Sequence, residues 1–232
     1  MRVLGLIPAR GGSKGIPNKN SKKLLGKPLM QYTIESAKGS HLLDRVIFSS
    51  EDEKLIELAK TLGVEVPFVR PSELATDMAS SLDVVKHAVK ELSRKGEKYD
   101  TVCLLQVTNP FRTLTFIDEA ISKFVNSRAD SLISVLEVSH EYNPHWVFKT
   151  NEDQNLELAT KDEQIIKRRQ DLPKAYYRDG SIYITKTEVI LNQNSLFGDS
   201  IHYILSDKSR HVNIDTEEDW KRAEMIAKKI LG

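Results

Sequence analysis

The sequence predicts an α/β protein, with a mostly parallel sheet and helices on both of its faces. Three observations carry this expectation. Apolar, β-branched runs recur along the chain, the segments between them repeat their apolar residues at helical spacing, and a glycine-rich loop directly follows the first run. The 232 residues, 40% hydrophobic and 29% charged, suffice for one domain with a substantial core plus an appendage.

Taken in order, the first strand is expected in "RVLGLI" (2–7) and the second in "RVIFSS" (45–50). Leu55, Leu58, Ala59 and Leu62 then form a helical stripe, and Ser50 stands before Glu53 at the spacing of a capping box. "VEVPFV" (64–69) reads as another strand, and Leu82, Val85, Val89 and Leu92 as a second stripe that begins at Ser80 or Ser81. "TVCLLQ" (101–106) and "SLISVLEV" (131–138) are further strands. The alternation fails over 139–178, resumes with "SIYIT" (181–185), and ends in the stripe Trp220, Ala223, Ile226, Ala227 and Ile230. The expected organisation is therefore a main domain of 1–138 and 179–232, interrupted by an insertion at 139–178.

An insertion this long should fold as a hairpin-rich lid or pack against another subunit, because long structureless loops are uncommon in compact domains. It carries Trp146, Val147, Phe148, Ile165, Ile166, Tyr176 and Tyr177 outside any stripe facing the core, so a homodimer is expected.

Composition also excludes. A net charge of +1 argues against a dedicated nucleic-acid binder. The apolar runs, at about five residues, fall far short of the roughly 20 that span a bilayer, and the N-terminus lacks the apolar stretch of a signal peptide. No membrane association and a cytoplasmic location are expected. The single cysteine, Cys103, sits in an apolar run and reads as a small buried hydrophobe. His140 and His145 lack further ligands at metal spacing.

The loop "IPARGGSKGIPNKN" (7–20) is the chemical centre of the sequence. From Met1 to Pro28 every charged side chain is basic: Arg2, Arg10, Lys14, Lys19, Lys22, Lys23 and Lys27. Lys22 and Lys23 read as a solvated pair. The loop matches neither GxGxxG nor GxxxxGK[ST]. Its ingredients are nevertheless those of a phosphate cradle, since Gly11, Gly12 and Gly15 leave backbone N–H groups accessible and Arg10 and Lys14 supply charge. In open α/β sheets ligands bind beyond the carboxyl ends of the strands, where this loop falls. The alternative is a glycine-rich turn with incidental cations.

This loop resembles the N-terminal signature of the CMP-sialic acid synthetases, the N-acylneuraminate cytidylyltransferases. "RPSELATDMASS", "LLQVTNPFR", "RRQDLP", "DGSIYI" and "IDTEEDW" follow in that family's order and spacing. The resemblance implies a Rossmann-like nucleotidyltransferase fold with a dimerisation segment. It also implies transfer of CMP from CTP to a nine-carbon 2-keto-3-deoxy sugar acid of the sialic type, with release of pyrophosphate. Legionaminic, pseudaminic or octulosonic acids are alternative substrates, and a nucleotide-binding protein without catalysis is a rival of another class.

Carried over residue by residue, the family places Arg10, Gly11, Gly12, Ser13, Lys14, Lys19 and Asn20 on CTP, with Arg70 and Ser81 near the nucleotide. Gln106, Tyr183 and Arg169 go to the sugar, Arg169 reaching the partner's site and suiting a carboxylate by bidentate pairing, with Arg168 as an adjacent competitor. Asp215 is implied to bind Mg²⁺ or Mn²⁺, and Asn213, which stands where many members have a second Asp, to join it at the metal site by orienting a bound water. Arg10, Lys14 and Asp215 are the implied catalytic groups, acting electrostatically on the departing pyrophosphate. A rival role for Asp215 is to cap the C-terminal helix together with Thr216. Asn20 has a rival role as a turn cap. Departures from the family pattern fall at Val107, Asn109 and Trp146, all in segments implied to meet the sugar.

Overall fold

A computed structural model describes residues 1–231. In chain order the strands are β1 (Val3–Pro8), β2 (Lys23–Leu24), β3 (Lys27–Pro28), β4 (Arg45–Ser49), β5 (Thr101–Leu105), β6 (Ser131–Glu137), β7 (Phe148–Thr150), β8 (Leu156–Leu158), β9 (Tyr176–Lys186) and β10 (Ile201–Leu205). The helices are α1 (Leu29–Lys38), α2 (Glu53–Thr61), α3 (Ser81–Arg94), α4 (Phe116–Ser127), α5 (Thr187–Asn192) and α6 (Glu217–Leu231).

Six strands form the central sheet in the order β10-β6-β9-β5-β1-β4. β1 runs parallel to β4 and β5, β10 runs parallel to β6, and β9 runs antiparallel to both of its neighbours. The expected α/β sheet with helices on both faces is present, and its reversed strand lies at the centre.

Alternation within the strands separates two cores. Val3, Ile7, Cys103, Leu105, Ile182 and Ile184 point to the face covered by α1, α2, α4 and α6. Leu4, Leu6, Val102, Leu104 and Tyr183 point to the face covered by α3 and α5. Burial pushes the Cys103 thiol up to about 12, which agrees with its reading as an inert hydrophobe.

Four local expectations are corrected. "VEVPFV" contributes only a single bridge, Ile47 to Glu65, because Pro67 has no N–H to continue a ladder. Helix α2 is capped by Asp52, which accepts from the Leu55 amide at 2.9 Å, while Ser50 Oγ accepts from the Asp52 amide at 3.2 Å. Of the two serines offered for α3, Ser80 is the cap, in a reciprocal capping box with Asp83. The excursion is shorter than expected, since β9 already begins at Tyr176, opposite Glu137, and the Val138 amide reaches the Ala175 carbonyl at 2.9 Å.

Residues 139–175 leave the sheet. Among them β7 and β8 form a small antiparallel hairpin. Tyr142, Phe148, Leu156 and Ile165 are exposed there. Trp146 is half-buried instead, its indole N–H donating to the Ile166 carbonyl at 2.7 Å and its ring lying edge-on to His140.

Candidate active site

The glycine-rich loop leaves β1 beyond its carboxyl end and is braced from three sides. Buried Arg70 donates through Nη2 to the Ala9 carbonyl at 2.8 Å and to Glu51 Oε2 at 2.6 Å. Glu51 Oε1 accepts from the Gly11 amide at 2.7 Å. Buried Asn20 donates to the Arg10 carbonyl at 2.9 Å, and its own carbonyl accepts from Met30. Arg70 and Asn20 line the cleft, and their side chains also hold the loop in shape.

On the third side the loop meets the last block of the sequence. A Cβ at Gly15 would lie 2.0 Å from the Asp215 carbonyl oxygen, so only glycine permits this approach. Lys19 Nζ donates to the Ile214 carbonyl at 2.7 Å and to Asp215 Oδ1 at 3.0 Å. Thr216 begins α6, its hydroxyl accepting from the Asp219 amide at 3.2 Å while Asp219 Oδ2 accepts from the Thr216 amide at 2.9 Å. The Asp215 carboxylate takes no part in that cap. It accepts instead from Lys19 and, at Oδ2, from Asn213 Nδ2 at 2.7 Å.

Arg10 and Lys14 converge on one carboxylate. Arg10 Nη2 lies 2.8 Å and Lys14 Nζ 2.5 Å from Asp77. Lys14, and after it Arg10, holds the Asp77 carboxyl below its ordinary value. Asp77 and Glu51 are absent from the sequence-derived site. Lys22 is not a freely solvated cation, because it pairs with Glu217 at 3.1 Å and lies 4.5 Å above the Trp220 ring.

These groups surround a cleft of about 370 Å³, lined by Arg10, Ser13, Lys19, Asn20, Arg70, Asp77, Ser81, Gln106, Asn213 and Asp215 among others. A second cleft of about 530 Å³ adjoins it, with Gln106, Tyr183, Arg178, Gly180 and Phe197 in its lining. Ser81, Gln106 and Asn213 line both. Of the expected nucleotide residues, Arg10, Ser13, Lys19, Asn20, Arg70 and Ser81 line the first cleft and Gly11, Gly12 and Lys14 do not, while the expected sugar residues Gln106 and Tyr183 line the second.

Irregular backbone builds the second cleft. Pairing between β6 and β9 slips between Ile133 and Val135, and buried Asp179 anchors the slip by accepting from Ser134 Oγ and from the Ser181 amide. Gly180 sits at φ +82°, where a Cβ would also press on Asn109 Nδ2 at 3.2 Å and Gln106 Oε1 at 3.3 Å. Buried Arg112 donates to the carbonyls of Gln106, Asn109 and Ser181, each at 2.6 Å through its Nη atoms, and so ties the end of β5 to the slipped strand. Its burial lowers its pKa to about 10. Burial likewise raises that of Tyr183.

Arg169 does not join either cleft within one chain. It lies in a separate groove of about 550 Å³ with His140, Lys174 and Lys208. Among the described residues no group of three or more His, Cys, Asp or Glu could hold a metal ion. Asp215, a single hard-oxygen donor on the cleft wall, fits a Mg²⁺ ion whose other ligands are phosphate oxygens and water. No helix among the described residues is long and apolar enough to cross a membrane.

A basic cleft beyond the carboxyl ends of a doubly covered sheet, joined to a second cleft, is the arrangement of the α/β nucleotidyltransferase class. A structure of CMP:2-keto-3-deoxy-manno-octonic acid synthetase complexed with CTP superposes with a TM-score of 0.73 at 15% identity, covering 99% of both chains. The 4-diphosphocytidyl-2C-methyl-D-erythritol synthase of Anaerococcus prevotii superposes at 0.68 and 10% identity, covering 98% of this chain and 96% of that one.

Residues 4–226 match the family model described as Cytidylyltransferase, and the chain belongs to that family. It is 37% identical to a pseudaminic acid cytidylyltransferase of Campylobacter jejuni, over 98% of this chain and 97% of that protein. It is 33% identical to an N-acylneuraminate cytidylyltransferase of Escherichia coli, over 98% of this chain and 52% of that one. A CMP-N,N'-diacetyllegionaminic acid synthase of Legionella pneumophila is 30% identical over 97% of this chain and 96% of its own length.

Proposed function

We propose that the protein activates a nine-carbon 2-keto-3-deoxy sugar acid with CTP, releasing pyrophosphate, and that its substrate is of the pseudaminic type. The observation that carries the proposal is the pair of adjoining clefts sharing Ser81, Gln106 and Asn213. One cleft supplies cations for a triphosphate, Arg10 and Lys19 among them, and the other supplies an amide, a tyrosine and Arg178 for a hydroxylated acid. Identity of 37% to a pseudaminic acid enzyme against 33% to an N-acylneuraminate enzyme favours the first substrate over the sialic acid that the sequence motifs suggested. Sialic acid is the second reading, resting on the "DGSIYI" and "RRQDLP" blocks.

In this reaction the anomeric hydroxyl oxygen of the sugar bonds to the α-phosphorus of CTP as the bond from that phosphorus to the bridging oxygen breaks. Arg10, Lys14 and Lys19 neutralise the pyrophosphate as it leaves. Mg²⁺ or Mn²⁺, held by Asp215, supplies further charge neutralisation when bound. Gln106 reads sugar hydroxyls at the common wall, and Tyr183 packs against the sugar. The groove holding Arg169 is completed by a second copy of the chain, so that Arg169 reaches the partner's sugar carboxylate in a homodimer.

Pyrophosphate release is the test, with CTP, Mg²⁺ and separate pseudaminic, N-acetylneuraminic and legionaminic acids. The highest kcat/KM is expected with pseudaminic acid. A preference for N-acetylneuraminic acid overturns the substrate assignment, and no release with any sugar acid overturns the activity.

A further inference from the structure

We infer that Asn109 and Asn213 form a polarised amide relay that orients the Asp215 carboxylate, and that both are positioning residues for the reaction. The inference rests on the proposed function for its chemistry, and on hydrogen bonding alone for its geometry. Asp215 Oδ1 accepts from Lys19 at 3.0 Å and Oδ2 accepts from Asn213 Nδ2 at 2.7 Å. Asn109 Nδ2 in turn donates to Asn213 Oδ1 at 3.3 Å.

The direction of the relay follows from its end. An ionised carboxylate only accepts, so the Asn213 side chain must turn its NH₂ toward Asp215. Its oxygen then faces Asn109, which must also present NH₂. The Asn109 amide is thus held in one orientation by a charge two residues away in the network.

The surroundings fix Asn109 independently. It is 4% exposed, its carbonyl accepts from buried Arg112 at 2.6 Å, and its Nδ2 lies where a Cβ on Gly180 would come within 3.2 Å. The relay therefore starts in the rigid wall of the second cleft and ends on a carboxylate that lines the first. In this arrangement Asn213 gives its oxygen to Asn109 and its nitrogen to Asp215. It acts on Asp215 as an orienting partner, a role distinct from the ligand or water-holding role implied by its motif. Groups that hold a ligating carboxylate in position typically change metal affinity or activity about 10-fold to 100-fold when altered.

An isosteric reversal tests this. Asn109→Asp can only accept, so it forces Asn213 either to turn its oxygen toward Asp215 or to break the chain. The Mg²⁺ concentration for half-maximal rate should rise about 10-fold and kcat should fall, with the CTP KM at saturating Mg²⁺ changing least. Asn109→Ala, which only deletes the donor, should fall between this variant and Asn109→Ser, whose hydroxyl still donates. A readout independent of turnover is the side-chain NH₂ resonance of Asn213. It should shift in Asn109→Asp and respond to Asp215→Asn in the natural background. If Asn109→Asp fails to fold by circular dichroism, Asn213→Leu, on the exposed side of the relay, carries the Mg²⁺ titration, with the side-chain NH₂ resonance of Asn109 as its readout independent of turnover. A Mg²⁺ requirement equal to that of the natural protein, or an Asn213 resonance that does not sense residue 109, overturns the relay. Should no sugar acid be turned over, the activity assignment fails alone, and the resonance shifts still decide the relay.

Discussion

The two clefts are built on opposite plans. In the first, charged side chains stand on a loop and are satisfied for the moment by acids of the same chain: Arg10 and Lys14 by Asp77, Lys19 by Asp215. In the second, the wall is mostly backbone and amide with Arg178 as its one cation, fixed from behind by Arg112 and buried Asp179. The first can exchange its internal carboxylates for phosphate at little cost, since exposed ion pairs contribute little. The second cannot rearrange without breaking buried hydrogen bonds, so its shape is set before any sugar arrives. A charged, adaptable cleft suits a polyphosphate, and a rigid one suits discrimination between isomeric sugar acids.

The contrast is broken most severely at Asp215. Asp215→Asn is expected to abolish pyrophosphate release while leaving the circular dichroism spectrum unchanged, because Thr216 and Asp219 cap α6 without it. Near-normal turnover in this variant would remove Asp215 from the chemistry. Next, Lys14→Ala should lower kcat/KM for CTP about 100-fold to 1000-fold, the usual cost of one positioned electrostatic group. Lys23→Ala should change it less than about two-fold, as surface substitutions do. Equal losses would mean that the loop acts as a diffuse field and that the first cleft has no fixed positions.

A third test addresses the rigid cleft. Gly180→Ala places a Cβ at φ +82° and against Asn109 and Gln106, and should cost about 1–3 kcal/mol in urea unfolding while raising the sugar KM more than the CTP KM. A uniform effect on both substrates would show that the two walls are one unit. Smallest of all, Asp77→Asn should tighten pyrophosphate binding no more than about five-fold, the scale of an exposed pair. The lowered Asp77 pKa gives the sign of its pH dependence. The link to Lys14 and Arg10 is present above the ordinary Asp value of 3.8 and is lost as the pH falls through the lower folded value, so natural protein and variant should converge in acid.

The same division governs what the sequence could tell. The first cleft was legible because its residues are local and chemically loud: glycines and cations within one loop, with Asp215 in a compact final block. Glu51 and Asp77 were missed because carboxylates that serve as internal partners look like ordinary surface acids. In the second cleft Gln106 was visible as a polar residue ending an apolar run, whereas Arg112 and Asp179 act through burial, which has no local signature. Helix α1 went unnamed because it is buried on most of its sides and shows no single stripe, and α4 was passed over although Ile117, Ala120, Ile121 and Phe124 stand at helical spacing. Strand β10 was hidden because it is an edge strand with Ile201, Tyr203 and Leu205 exposed. The reversed direction of β9 depends on where the chain re-enters after the excursion, and no residue of β9 encodes that by itself.

The closeness of Gly15 to the Asp215 carbonyl has a temporal meaning as well. The segment that seats Lys19 and Lys22 lies 195 residues further along the chain than they do, and such long-range closure is slow to form. Until residues 214–220 have been made, the basic loop has no far wall and its lysines point into open solvent. The basic cleft thus takes its final shape only when two segments remote in sequence have docked, the later-made one acting as a clasp on the earlier.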